Sequence, residues 1–223
     1  MKLKLLSILL ILNFLLIGCN KEEAKYPLKF NELSYSKIEK LNSDNIDEIK
    51  EEKIIDQEQS VFIFTGYENG EYKGGINFNG ESYYIGQVSM ENTPEGMMGI
   101  EEIQVFGKKA VKIYGILGAN YAQAYYWFPG EKPDESIIQV DGNTGEIDLD
   151  GDDKNEIIST SGTIPGTNIY MLKEGKINVC DINESIGAKS VILKDKNKKL
   201  FEVYFEPDKP QKFTYYEDFF IKR

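Results

Sequence analysis

The 223-residue chain contains no histidine, a single arginine (Arg223), a single tryptophan (Trp127) and two cysteines, Cys19 and Cys180. Without His there is no His-ligated zinc, no Ser-His-Asp or Cys-His nucleophile and no imidazole proton shuttle. Two cysteines, one of them at the end of an apolar N-terminal run, give no reason to expect an intramolecular disulfide. Cys180 follows Ile177 and Val179 in a strand-like run and reads as a buried, inert thiol. Positive charge is scarce: 26 basic side chains stand against 37 acidic ones, a formal net charge of -11. Removal of residues 1–18 takes Lys2 and Lys4 and no acid, leaving 24 against 37, or -13. Such a surface repels nucleic acid and anionic headgroups, so nucleic acid is not an expected partner. With 41% hydrophobic and 28% charged residues, the balance is globular rather than disordered.

The one long apolar run lies at the N-terminus. Lys2 and Lys4 precede Leu5 to Ile17, an apolar segment interrupted only by Ser7 and Asn13. It is shorter than the roughly 20 residues that a membrane-spanning helix needs, and its positive start is that of a secretory signal. The run ends in Leu16-Ile17-Gly18-Cys19, which resembles the lipobox of bacterial lipoproteins. That resemblance implies cleavage between Gly18 and Cys19 and a diacylglyceryl group on the Cys19 sulfur. It further implies membrane attachment at the extracytoplasmic face, where two acyl chains anchor stably and one does not.

Residues 19–60 are polar and rich in Lys and Glu, and the reading is an anchor followed by a tether and stem. Within them Asp44 is placed to cap a short helix carrying Ile46 and Ile49, while Ile38 and Leu41 either pack on the domain or belong to a loose stem. From Val61 to Arg223 the pattern is strand after strand. Asn69-Gly70 and Asn79-Gly80 between apolar runs are hairpin signals, because both residues of a type I′ turn take positive φ. Gly118-Ala119-Asn120, Lys173-Glu174-Gly175 and the polar Asp195–Lys199 segment mark further hairpins. The expected fold is mainly β: four antiparallel meander units beginning near Val61, Ile103, Ile147 and Ser190. Their length suits β-propeller blades, with a β-sandwich as the alternative. The expected organisation is a signal peptide (1–18), an anchor and partly helical stem (19–60) and a β-domain (61–223).

Tyr125-Tyr126-Trp127-Phe128 is the densest aromatic patch, to be read either as a ligand-stacking platform or as core, with core favoured. Glu101-Glu102 is no catalytic dyad, since neighbouring strand residues point to opposite faces.

The segment with a chemical pattern is Asp148-Leu149-Asp150-Gly151-Asp152-Asp153-Lys154-Asn155-Glu156, followed by Ile157-Ile158. Counted from Asp148, carboxylates stand at positions 1, 3, 5 and 9 (Asp148, Asp150, Asp152, Glu156), and Lys154 at position 7 could offer its backbone carbonyl. Alternate residues of a curling loop can converge on one hard cation, and calcium takes six to eight oxygens. The spacing resembles the calcium loops of FG-GAP/VCBS-type repeats, in which the ion is structural. It departs from them at the sixth position, where Asp153 replaces the usual Gly. It is not an EF-hand, because the twelfth position is Ser159. Together these features favour a non-enzymatic, lipid-anchored surface domain that binds an unidentified ligand or envelope protein. A metal- or carboxylate-dependent surface hydrolase and a structural accessory subunit of an envelope complex are the alternatives.

Overall fold

The computed structural model describes residues 24–67, 70–94, 96–130 and 132–223. The signal peptide, the lipobox and Cys19, and Asn69 of the first Asn-Gly pair lie outside the described residues. The fold is mainly β, in antiparallel sheets.

Three short strands come first: β1 (Lys25–Pro27), β2 (Asn31–Glu32) and β3 (Glu39–Lys40). Four meanders follow. Sheet 1 contains β4 (Glu48–Ile54), β5 (Gln59–Thr65), β6 (Glu71–Phe78) and β7 (Glu81–Met90). Sheet 2 contains β8 (Gly99–Val105), β9 (Lys108–Gly118), β10 (Tyr121–Trp127) and β11 (Ile137–Asp141). Sheet 3 contains β12 (Asn143–Ile147), β13 (Glu156–Ser161), β14 (Gly166–Lys173) and β15 (Lys176–Asp181), after which the chain makes the short helix α1 (Ile182–Ile186). Sheet 4 contains β16 (Ser190–Asp195), β17 (Leu200–Tyr204), β18 (Pro210–Tyr216) and β19 (Phe219–Lys222).

The hairpin chemistry read from the sequence closes these meanders. Asn79 and Gly80 have φ of 51° and 79°, and Glu174 and Gly175 have 52° and 80°, the left-handed pairs of a type I′ turn. β9 and β10 meet at Gly118 opposite Tyr121, around Ala119 and Asn120. The Lys196–Lys199 turn joins β16 to β17 across a bulge between Leu193 and Asp195.

Each meander needs neighbours, because strands such as β10 are apolar on both faces. Among the described residues the core clusters are three, each between consecutive sheets, while Phe62 and Phe64 are buried against each other on the far face of sheet 1. Val61, Ile63 and Ile76 of sheet 1 pack on Val111, Ile113 and Trp127 of sheet 2. Ala124, Tyr126 and Ile138 of sheet 2 pack on Ile157 and Tyr170 of sheet 3. Ile158, Ile169 and Cys180 of sheet 3 pack on Phe201, Val203, Phe213 and Phe220 of sheet 4. This layering settles the aromatic patch. Tyr125 and Trp127 point into the first cluster and Tyr126 and Phe128 into the second, so all four are buried, not the half that a one-sided sheet would cover. A propeller closes its ring by packing the last blade on the first. Among the described residues no core cluster joins sheet 4 to sheet 1, so a closed propeller ring is not shown.

The stem expectation is corrected from Lys25 onward. β1 adds to β19 of sheet 4, β2 to β15 of sheet 3 and β3 to β7 of sheet 1. Between them the Ser36 N–H donates to the Ile137 carbonyl at the edge of sheet 2 (2.7 Å). Residues 25–40 are thus a strap across the last strands of all four sheets. Its apolar side chains enter every cluster: Tyr26, Leu28 and Phe30 the third, Leu33 the second and Ile38 the first. The expected helix after Asp44 is also corrected. Asp44 lies in a single 3-10 turn capped by the Asn42 side chain, and Ile49 belongs to strand β4. Glu51 and Lys53 of β4 face sheet 2, where Glu51 accepts from the Ile100 N–H (3.2 Å) and Lys53 pairs with Glu102 (3.1 Å). Glu52 faces away and accepts from Ser60 (2.9 Å). Alternating charge at a sheet edge protects against further strand addition and hides the strand from a hydrophobicity pattern.

Candidate metal centre

The acidic segment is the connection between β12 and β13, so the ladder Ile147 opposite Glu156 clamps its two ends. Leu149 turns inward to 2% exposure and anchors the loop in the core between sheets 3 and 4. Carboxylates then organise the loop's own amides. Asp148 accepts from the N–H groups of Gly151 (2.5 Å) and Asp153 (3.3 Å), Asp150 from Asp152 (3.1 Å) and Asp152 from Lys154 (2.9 Å). Each is a local side-chain turn of the kind Asp favours. Gly151 and Asp153 take φ of 90° and 65°, so Asp at the sixth position does adopt the left-handed conformation the tight turn needs. The loop is tied to its neighbours as well. The Phe106 N–H donates to the Asn155 carbonyl (2.8 Å), and the Lys199 ammonium of sheet 4 lies 3.6 Å from Asp148.

Of the five residues predicted from spacing, three converge. One carboxylate oxygen from each of Asp148, Asp150 and Glu156 lies within 4.8 Å of the other two. Asp152 is not in this group; its carboxylate pairs with the Lys154 ammonium at 2.6 Å, which holds it below the usual carboxylate range. Lys154 also carries a role the spacing did not suggest: its exposed ammonium is the countercharge of Asp152, and its methylenes run over Gly107, where a Cβ would collide. Glu156 is the buried member, 4% exposed, and accepts from the Leu149 N–H (2.6 Å). Burial, together with Asp150, Asp152 and Asp148, pushes its carboxyl up to about 7. Three hard oxygen donors, one of them buried among like charges, fit a divalent cation: a bound ion would remove the repulsion that the fold otherwise carries.

The loop also forms one wall of an open cleft of about 550 Å³ between sheets 3 and 4. Across it stand residues that no local pattern announced. Asp218 in the β18–β19 turn accepts from Lys173 (2.6 and 2.7 Å) and from the Tyr215 hydroxyl (2.7 Å), while Lys173 also sits 4.4 Å from the Phe30 ring of the strap. Burial, with Asp218 adding, raises the Tyr215 phenol well above its ordinary range. A second polar cluster holds sheets 2 and 3 together. The Lys112 ammonium pairs with Glu146 at 3.0 Å, and the Tyr126 hydroxyl donates to the same carboxylate at 2.6 Å. Burial alone would raise Glu146; the Tyr126 hydroxyl and Lys112 outweigh it and hold the carboxyl low. A lone Lys inside Ala110-Val111-Lys112-Ile113 was the sequence signal for this buried partner.

Cys180 is buried, with its sulfur 3.3 Å from the Ser185 hydroxyl, as a structural thiol would be. Glu101 and Glu102 are both exposed and Glu102 is paired with Lys53, so no acid pair forms there. No family model matches the chain, and comparison with curated proteins and with solved structures finds no match to it either.

Proposed function

We propose that the protein is a lipid-anchored extracytoplasmic β-domain that binds a ligand or protein partner at the cell surface and carries a structural calcium ion in its β12–β13 loop. The observation that carries this reading is the convergence of Asp148, Asp150 and Glu156 within 4.8 Å at the wall of the cleft between sheets 3 and 4. Those three residues hold the ion, which supplies positive charge and nothing further. The loop touches sheet 2 through Asn155 and sheet 4 through Lys199, so an ion that stiffens it fixes the relation of three sheets. In this the loop acts as the calcium loops of FG-GAP/VCBS-type repeats do, within the layered arrangement described above.

A binding task fits the cleft better than turnover. Its cations are engaged in ion pairs, Lys173 with Asp218 and Lys154 with Asp152, and its one carboxyl raised to about 7, Glu156, belongs to the ion site. The anchor supports a surface location and is tested by fractionation. Wild-type protein should stay with membranes through salt and carbonate washing and leave only in detergent. The Cys19→Ala chain should appear in the soluble fraction. Retention of Cys19→Ala on washed membranes would count against the lipid anchor.

A further inference from the structure

Sheets 2 and 3 are covered on both faces, and the outer face of sheet 1 is mixed: Ser60 donates to Glu52, Asn77 to Ser60 and Ser82 to Asn77, beside Phe62 and Phe64, each 1% exposed. The outer face of sheet 4 is different. Phe201, Val203, Phe213, Tyr215 and Phe220 face the core, so strand alternation places Lys194, Glu202, Lys212 and Phe219 on the other side. Lys25 of β1 joins them opposite Ile221, and Arg223 lies there too, its Nε donating to Thr214 (2.9 Å). Four cations, Lys25, Lys194, Lys212 and Arg223, thus share an exposed face with two carboxylates, Glu202 and Asp195, the latter paired with Lys198 (3.3 Å), in a chain of net charge -11. Glu202 is itself engaged by Lys194 at 3.6 Å and by the Tyr204 hydroxyl at 3.3 Å. At the bordering turns Glu206 pairs with Lys209 (2.5 Å), and Glu217 stands beside Tyr216. Among the cations sit half-exposed Tyr216 (50%) and Phe219 (37%).

Its place in the chain selects the partner. β1 begins at Lys25, six residues after Cys19, and six residues reach at most about 22 Å. The strap leaves no long tether, so sheet 4 is the part of the fold held nearest the anchor. We infer that the outer face of sheet 4 lies on the anionic lipid surface of the membrane that Cys19 anchors, with Lys25, Lys194, Lys212 and Arg223 at the headgroups and Tyr216 and Phe219 in the interface. This rests on the anchor reading above. The chain's overall negative charge does not oppose it. At physiological ionic strength the screening length is about 8 Å, and the acidic loop, which shares its cleft with Tyr216, has Asp148 3.6 Å from the Lys199 ammonium and Asp152 paired with Lys154 at 2.6 Å. Basic and aromatic side chains together are the chemistry of a surface that rests on anionic headgroups.

The test uses the full lipidated chain in vesicles, with Phe219→Cys as the probe on the face and Tyr67→Cys, in the exposed loop after β5, as the reference. Labelling by a membrane-impermeant thiol reagent is compared in phosphatidylcholine vesicles with and without phosphatidylglycerol. We expect Phe219→Cys to react about tenfold more slowly in the anionic vesicles and Tyr67→Cys to react equally in both. Adding Lys25→Glu, Lys194→Glu and Lys212→Glu, or about 1 M salt, where the screening length is about 3 Å, should restore fast labelling. Chains that float with both vesicle types and label equally fast at Phe219→Cys would overturn the face contact while leaving the anchor intact. Chains that fail to float with neutral vesicles would overturn the anchor, and the contact with it.

Discussion

A chain lacking residues 24–41 should not hold its fold. Those residues supply the edge strand of three sheets and a hydrogen bond to the fourth, and they place Leu28, at 7% exposure, with Tyr26, Phe30, Leu33 and Ile38 into the three cores. Burying one such side chain fully contributes about 1.5–3 kcal/mol, and four of the five are only partly buried, so the set contributes roughly 5–8 kcal/mol. Net stabilities of domains are about 5–15 kcal/mol, so the loss is of the same size as the whole. The milder variant Leu28→Ala should cost about 2–4 kcal/mol and remain folded. Urea unfolding followed by circular dichroism decides between them. A truncated chain with an unchanged midpoint would mean that the strap is an appendage.

The second large effect is a pH dependence of unusual sign. Glu156 has its carboxyl raised from 4.5 to about 7 in the fold, so between those values the folded state holds a proton that the unfolded state has released. Stability from this group is therefore fully present below about pH 4.5 and is lost as pH rises through about 7. The shift of about 2.5 units corresponds to roughly 3 kcal/mol. Paired carboxylates such as Asp152 work in the opposite direction, losing stability as pH falls, but Asp152 is exposed and its contribution is small. In chelator, Glu156→Gln should consequently stabilise the protein at pH 8 by about 1–3 kcal/mol and flatten the slope between pH 5 and 8. A Glu156→Gln chain less stable than wild type at pH 8 in chelator would show that the carboxylate is needed for more than metal.

How much of this could be read in the chain depends on the range of the interaction. Asn79-Gly80, Glu174-Gly175 and the strand alternation around them act within a few residues, and they locate the hairpins and four meanders nearly in place. Asn143-Thr144-Gly145 by itself reads as turn, and only the ladder to Ile158, Ser159 and Thr160 makes it part of strand β12. The strap was illegible for the same reason taken further: Lys25 pairs with Ile221, almost the whole chain away, and nothing in a polar Lys/Glu segment announces such a partner. The metal loop shows both sides. Spacing correctly brought Asp148, Asp150 and Glu156 together, since a tight hairpin connection folds locally. Asp152, expected beside them, lies outside that group with its carboxylate on Lys154, and spacing could not foresee Asp218 and Tyr215 across the cleft.

The central claim is that this loop holds a calcium ion that fastens the sheets. Thermal melting in calcium and in chelator tests it most directly. A ligand that binds only the folded state stabilises it by about 2.7 kcal/mol at 100 times its dissociation constant, which for a chain of this size raises the melting temperature by roughly 5–10 °C. The wild-type protein should show that rise, saturating by about 10 mM calcium, above the affinities of roughly 0.1–1 mM common in extracellular modules. Asp150→Asn and Glu156→Gln should show none. A wild-type melting temperature that is the same in calcium and in chelator would contradict the claim.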